Sequence, residues 1–244
     1  VVQRVAAILK AFSPKRTEWK LTPLAEATGL SKSTAHRLLS ALESEGFTAY
    51  DPADHVYRLG PACVALGLSA LPGSDLRAMA HPLLESLART TGETCTLEML
   101  VDRQVLIVAE VSGDHLVSAT GSVGTRWPLH ATSSGKAVLA AMPADRRSAS
   151  LEPTLAALTP ATIVDRRRLQ AELDRAAERG FATATDELEI GYAAASAAVL
   201  AGPGEPLAAL SVGGPSSRLV RERLDEIGSQ LAAAAVELSA RCSG

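Results

Sequence analysis

Aromatic residues are scarce: two Trp, three Tyr and three Phe make up 3% of the 244 residues, so Ala, Leu and Val must supply most of any core. Cysteine is nearly as rare. Cys63, Cys95 and Cys242 are an odd number without CxxC spacing, which excludes a disulfide framework or a paired-cysteine zinc site and fits isolated thiols in a reducing cytoplasm. No stretch approaches the roughly 20 apolar residues that a membrane span requires. The longest low-polarity run, Tyr192 to Gly202, is alanine-rich and contains Ser196. Residues 1–20 carry Arg4, Lys10, Lys15, Arg16 and Lys20 without the apolar core of a signal peptide. The expectation is a cytoplasmic protein that meets no membrane. His36, His55, His81, His115 and His130 are scattered, with no partner at ligand spacing. Neither a metal nor a cofactor is expected.

A chain of this length can bury one large or two modest domains. Its net charge of −3 hides an asymmetry. Residues 1–42 hold seven Lys or Arg against Glu18 and Glu26, a local balance of +5. Such clustering is the electrostatic footprint of a phosphate-backbone binder.

Arg4 to Phe12 reads as an amphipathic helix, with Val5, Ile8, Leu9 and Phe12 three and four apart, stopped by Ser13-Pro14. A second helix begins near Thr22, expected as its cap with Pro23 in the favoured first position, and ends at Gly29. Ser31 is suited to cap a third helix that runs to about Glu45 and closes with Gly46. At about 100° per residue, Ala35, Leu38, Leu39 and Leu42 fall on one side of it, and Ser33, His36, Arg37 and Ser40 on the other. Phe47–Ala49 and Val56–Leu59 flank the turn-like DPADH, which predicts a hairpin. Two short helices joined by a glycine turn and followed by a hairpin make a winged helix-turn-helix. After Gly60-Pro61, Ala62 to Leu71 forms a linker helix whose apolar stripe needs a partner, ended by Pro72-Gly73.

From Asp75 a helix to about Arg89 precedes strands near Cys95–Val101, Val105–Val111 and Leu116–Thr120. A helix over Ser133–Met142 follows, then a Pro- and Ala-rich region and a charged helix over Asp165–Arg179. Strands near Phe181–Thr185, Tyr192–Ala201 and Leu207–Val212 lead to a long final helix, Ser217–Arg241. Hairpins mixed with helices predict an α+β domain around a mainly antiparallel sheet.

In a helix-turn-helix the second helix enters the major groove. Its candidate DNA contacts here are Ser31, Lys32, Ser33, Thr34, His36, Arg37 and Ser40, with Tyr57 and Arg58 on the wing. Arg37 can fork onto guanine O6 and N7 or clamp a phosphate, whereas Lys32 adds affinity without sequence preference. In GTRWPLHATSSGKAVL, backbone donors at Thr132, Ser133, Ser134 and Gly135 at a helix start suit a carboxylate. Ser133 and Lys136 also match SxxK, the nucleophile signature of penicillin-recognising acyl enzymes, but the companion SDN and KTG motifs are absent. A serine-dependent hydrolase is the alternative. SSGKA fails as a phosphate loop, since its first glycine would fall at His130 and Ala137 follows the lysine. Lys136 is expected to meet solvent or a carboxylate, and Asp186, Glu187 and Glu189 to be solvated or to cap a helix.

VVQRVAAILKAF, LTPLAEATGLSKSTAHRLLSALESEGF, YRLGPACVALG, LHATSSGKAVLAAM, GFATATDELEIGYAAASAAVL and PLAALSVGGPSSRL occur in that order. With these blocks the chain resembles the IclR-type bacterial transcriptional regulators over essentially its full length. The resemblance implies a winged helix-turn-helix over residues 1–60, a dimerising linker helix over 61–73 and a GAF-like effector domain over 74–244. It further implies double-stranded operator DNA and a small-molecule effector as partners, and assembly as a homodimer or dimer of dimers. Carried over position by position, it places Ser133, Ser134, Asp186, Ala194, Ser211 and Gly213 at the effector. Ala194 and Gly213 lack the polar side chains associated with keto-acid binders, which predicts a roomier, more apolar pocket for a less polar carboxylate.

Overall fold

The computed structural model describes residues 1–13, 16–70, 74–115, 117 and 121–242. The chain divides into two compact units, Val1–Ser74 and Asp75–Gly244.

The first unit holds α1 (Val2–Lys10), α2 (Leu21–Ala27), α3 (Lys32–Ser44), the hairpin β1 (Thr48–Asp51) and β2 (Val56–Leu59), and α4 (Pro61–Ala70). Ile8, Phe12, Trp19, Leu24, Leu39, Leu42 and Tyr57 form its core. Trp19 ties three parts of the head together. Its indole donates to the Ala11 carbonyl at 3.0 Å, and its backbone exchanges hydrogen bonds with Tyr57 at 3.0 and 2.7 Å. The helix boundaries follow local chemistry. Ser31 caps α3 by accepting from the Thr34 N–H at 3.3 Å, and Gly29 and Gly46 take the left-handed conformation beyond α2 and α3 (φ 66° and 72°). Thr22 is not the cap of α2: the helix begins one residue earlier, after Lys20, which makes no side-chain cap bond. Leu71, Pro72 and Gly73, at the expected end of the linker helix, lie outside the described residues.

The second unit runs α5 (Ser74–Thr91), β3 (Thr94–Val101), β4 (Gln104–Val111), β5 (Arg126–Pro128), a 3-10 turn (Leu129–Ala131), α6 (Ser133–Ala141), α7 (Ala144–Ser150), α8 (Arg166–Arg179), β6 (Ala182–Thr185), β7 (Tyr192–Gly202), β8 (Glu205–Pro215) and α9 (Arg221–Cys242). Six strands form one sheet in the order β5-β4-β3-β8-β7-β6, every pairing antiparallel. β5, the 3-10 turn and α7 were not expected from the sequence, and of the strand expected near Leu116–Thr120 only Val117 is described. The registers Thr96↔Ser211 and Ser196↔Ser211 set three hydroxyl residues in a row across β3, β8 and β7. Apolar residues of α6 and α8 form one cluster with Val105, Ala182 and Ala209 of the sheet. No helix among the described residues is long and apolar enough to cross a membrane.

Candidate functional sites

On α3 the burial follows the helical period. Ala35, Leu39 and Leu42 are buried, while Lys32, Ser33, His36, Arg37 and Ser40 are exposed on the opposite side. Thr34 is half-buried, and the Ser31 hydroxyl is engaged locally, 2.9 Å from the Thr34 hydroxyl and 3.2 Å from that of Ser33. Beside this face a groove is lined by Lys20, Thr22, Lys32, His36, Tyr50 and His55, among others. Lys20, Tyr50 and His55 had no sequence signal beyond charge and position, because only the fold brings the start of α2 and the hairpin alongside α3.

The two expected wing residues have partners within the head. Tyr57 is 5% exposed and belongs to the core of the head, its ring centroid 4.9 Å from that of Tyr50, and it also lines the groove beside α3. Arg58 is held by Glu18 at 2.8 Å and Asp51 at 2.9 Å. These two carboxylates stabilise its cationic form and offset its charge toward any phosphate.

In the second unit, a cavity lies between the sheet and the start of α6. Its polar wall comprises Thr96, Glu98, Thr132, Ser133, Ser134 and Ser211. Ile107, Trp127, Ala131, Ala184, Leu188 and Ala194 supply the apolar wall, with Gly121, Glu189 and Tyr192 completing the described lining. Ser133 shares a 2.7 Å hydrogen bond with Ser196. The Ser134 hydroxyl donates to Glu98 Oε2 at 2.6 Å, and the Thr96 hydroxyl donates to Glu98 Oε1 at 2.8 Å. Burial pushes the Glu98 carboxyl above its ordinary range, against the opposing pull of these two hydroxyls. As the first two residues of α6, Ser133 and Ser134 have N–H groups without intrahelical acceptors.

Of the residues expected around an effector, the structure brings Thr132, Ser133, Ser134, Ala194 and Ser211 to this cavity; Gly135, Asp186 and Gly213 are not among its lining. The Gly135 N–H is taken by the Thr132 hydroxyl at 3.1 Å, the cap of α6. A Cβ on Gly135 would lie 2.3 Å from the Leu129 carbonyl oxygen, so this glycine serves close packing of the 3-10 turn on α6. Asp186 has φ 58° and accepts from the Gly191 N–H at 2.7 Å, closing the turn that carries Leu188 and Glu189 to the cavity. At Gly213 a Cβ would fall 2.1 Å from the Tyr192 hydroxyl. The room this glycine leaves is filled by the Tyr192 phenol, which corrects the expectation that it widens the pocket.

Lys136 takes the carboxylate of its two expected partners, bonding Glu187 Oε1 at 2.6 Å while 1% exposed. The reading of Glu187 is corrected: it is 7% exposed, not solvated or capping. The hydrolase alternative needs Lys136 as a neutral amine that takes the proton of the Ser133 hydroxyl, yet Glu187 holds the one and Ser196 the other. Among the cavity residues that sequence reasoning missed are the polar Glu98, Thr96, Tyr192 and Glu189 and the apolar Ile107, Ala184 and Leu188. Thr94, Thr96 and Glu98 alternate with Cys95, Leu97 and Met99, a pattern that ordinarily marks one solvated face.

The sequence matches two families: "IclR helix-turn-helix domain" over residues 1–52 and "Bacterial transcriptional regulator IclR C-terminal" over residues 68–240. It is 32% identical over 227 residues to the transcriptional repressor IclR of Escherichia coli K12, covering 92% of this chain and 83% of that protein. The crystal structure of an IclR transcriptional regulator from Alicyclobacillus acidocaldarius superimposes with a TM-score of 0.87 at 30% identity, covering 100% of this chain and 98% of that one. An IclR homologue from Microbacterium hydrocarbonoxydans complexed with 4-hydroxybenzoate gives a TM-score of 0.85 at 29% identity, covering 99% and 98% of the two chains. The exposed polar face of α3 and the cavity beneath α6 therefore stand in a chain that belongs to the IclR family of bacterial transcriptional regulators.

Proposed function

We propose that this regulator binds a small organic carboxylate in the cavity under α6 and thereby alters its grip on operator DNA, controlling genes for the breakdown of that compound. The observation that carries the reading is the start of α6. Two N–H groups without intrahelical acceptors, at Ser133 and Ser134, open a helix beside an otherwise largely apolar cavity. A helix N-terminus favours negative charge. The 4-hydroxybenzoate held by the Microbacterium hydrocarbonoxydans homologue is a compound of this class.

DNA is met by the exposed face of α3, with Arg37 and Ser33, His36 and Ser40 toward the bases and Lys32 toward phosphate. The effector domain spans residues 74–244 and the DNA-reading head residues 1–60. On α4, between them, Val64 and Leu66 are 65% and 56% exposed. Pairing with the α4 of a second copy buries this apolar surface and supplies the symmetry that palindromic half-sites mirror. An effector that binds one arrangement of the dimer better than another shifts the population of head spacings.

The test is a gel shift of full-length protein on the intergenic DNA beside its own gene, with and without small carboxylates such as 4-hydroxybenzoate. Specific retardation altered by one of the acids is the expected result. Retardation that no acid changes, in protein shown to bind those acids, refutes the coupling.

A further inference from the structure

Resting on the reading of this cavity as the effector site, the identity of its charged groups narrows the ligand. The described lining contains no Lys, Arg or His; its charged residues are Glu98 and Glu189. Glu98 is 5% exposed and stands on β3 two residues from Thr96, so both project to the cavity face of the sheet. Opposite it the β3–β4 register shifts, Leu97 pairing with Ala109 and Glu98 with Ile107, a bulge of the kind that re-aims side chains beside a site.

Each Glu98 oxygen receives one hydroxyl, from Thr96 and Ser134. A carboxylate has about four acceptor positions, so half of its capacity stays open toward the cavity. A plain organic acid seated at the start of α6 brings a second negative charge next to this carboxyl. Like charges in a small, dry space repel and force one group to hold a proton. A ligand that turns a hydroxyl or amine toward Glu98 satisfies it instead. Burial already raises the Glu98 carboxyl, and in its neutral form the group both donates and accepts, as a hydroxyl does.

We propose that Glu98 is the specificity-determining residue of the cavity, selecting an effector that presents a hydrogen-bond donor, a hydroxyl or an amine, at the end of the cavity formed by Thr96 and Ser134. The donor distinguishes it from otherwise identical acids.

The experiment is calorimetric titration of the full-length protein with matched probes: benzoate, 4-hydroxybenzoate and 4-aminobenzoate, and propionate against lactate. The donor-bearing member of at least one set binds about tenfold tighter than its parent acid, the worth of one hydrogen bond to a charged or strongly polar acceptor. Preference for 4-hydroxybenzoate or lactate identifies a hydroxyl, and preference for 4-aminobenzoate an amine. Glu98→Met removes the preference and improves binding of the parent acids, while Glu98→Gln, which keeps one acceptor oxygen and the shape, retains part of it. Equal binding within every set by the native protein overturns the proposal, as does an unchanged ratio in folded Glu98→Met or Glu98→Gln, or no binding of any donor-bearing probe at millimolar concentration. Ala194→Phe, which fills the cavity from β7, separates this failure from failure of the site. If binding survives Ala194→Phe, the cavity is not where the acids sit. If Ala194→Phe abolishes binding while Glu98→Met leaves the ratio intact, the cavity stands and the role of Glu98 falls.

Discussion

Lys136 meets a carboxylate, one of its two expected partners, but in a burial that the sequence did not disclose. A lysine in the first turns of a helix usually meets water, but α6 is covered on every side, and its partner there is Glu187 Oε1 at 2.6 Å. The pairing is incomplete, since Glu187 Oε2 is buried without a partner. Lys136→Met leaves a buried carboxyl alone and is expected to cost about 3–5 kcal/mol in urea denaturation, whereas the double substitution with Glu187→Leu recovers much of the loss, because a buried ion pair often gains little over apolar packing. If the double variant is no better than the single, the pair contributes more than this. Glu98 makes a second residue-scale prediction. Its folded-state affinity for a proton exceeds that of the unfolded chain. Its contribution to stability is therefore full below the unfolded-state value and is lost as pH rises through the folded-state value. Thermal melts of native protein and Glu98→Gln across pH 4.5 to 8 should show the native protein losing ground as pH rises; parallel curves would show that Glu98 does not titrate differently on folding. Neither residue's burial was legible. Alternation through Thr94, Thr96 and Glu98 states which residues share a face, but not whether a helix covers it.

Elements were legible where their end signals are local. Ser31 and Gly46 bracket α3, and Gly180, at φ 80°, closes α8, because caps and left-handed glycines act within a few residues. α7 and β5 escaped sequence reading for the opposite reason. β5 has three residues and exists through its pairing with Gln104–Leu106 of β4, while α7 buries no residue and has no side-chain cap. Gly135 was read as a ligand donor from its place in a glycine-bearing helix start, yet its function is contact with the 3-10 turn. Gly135→Ala sets a Cβ against the backbone of Leu129, at 2.3 Å from its oxygen and 2.4 Å from its Cα. Backbone cannot rotate away as a side chain can, so a loss of about 1–3 kcal/mol is expected from such overpacking. Chemical denaturation measures it; native-like stability would mean that the turn and α6 separate freely.

Across the whole molecule, the face of α3 proposed to meet DNA and the cavity proposed to hold the effector belong to different compact units, and variants should separate them. Arg37→Ala is expected to weaken retardation of specific DNA at moderate salt, by about 1–3 kcal/mol, while leaving the thermal shift given by an effector acid unchanged. Lys32→Ala should weaken all DNA sequences alike and lower the salt slope by about one, the signature of a single phosphate contact. Loss of sequence preference in Lys32→Ala, or intact preference in Arg37→Ala, would exchange the roles assigned to them.

The order of the longer elements, the two faces of α3 and the concentration of positive charge in the first 42 residues were determined by the sequence itself, since periodicity, capping and charge are properties of neighbouring residues. Which polar residues converge was decided only by the tertiary structure. Glu98 meets Ser134 across 36 positions, Lys136 meets Glu187 across 51, and Ser133 meets Ser196 across 63. The strand register and the seating of α6 bring them together. That register is fixed by packing of the whole sheet, and no window of sequence contains it.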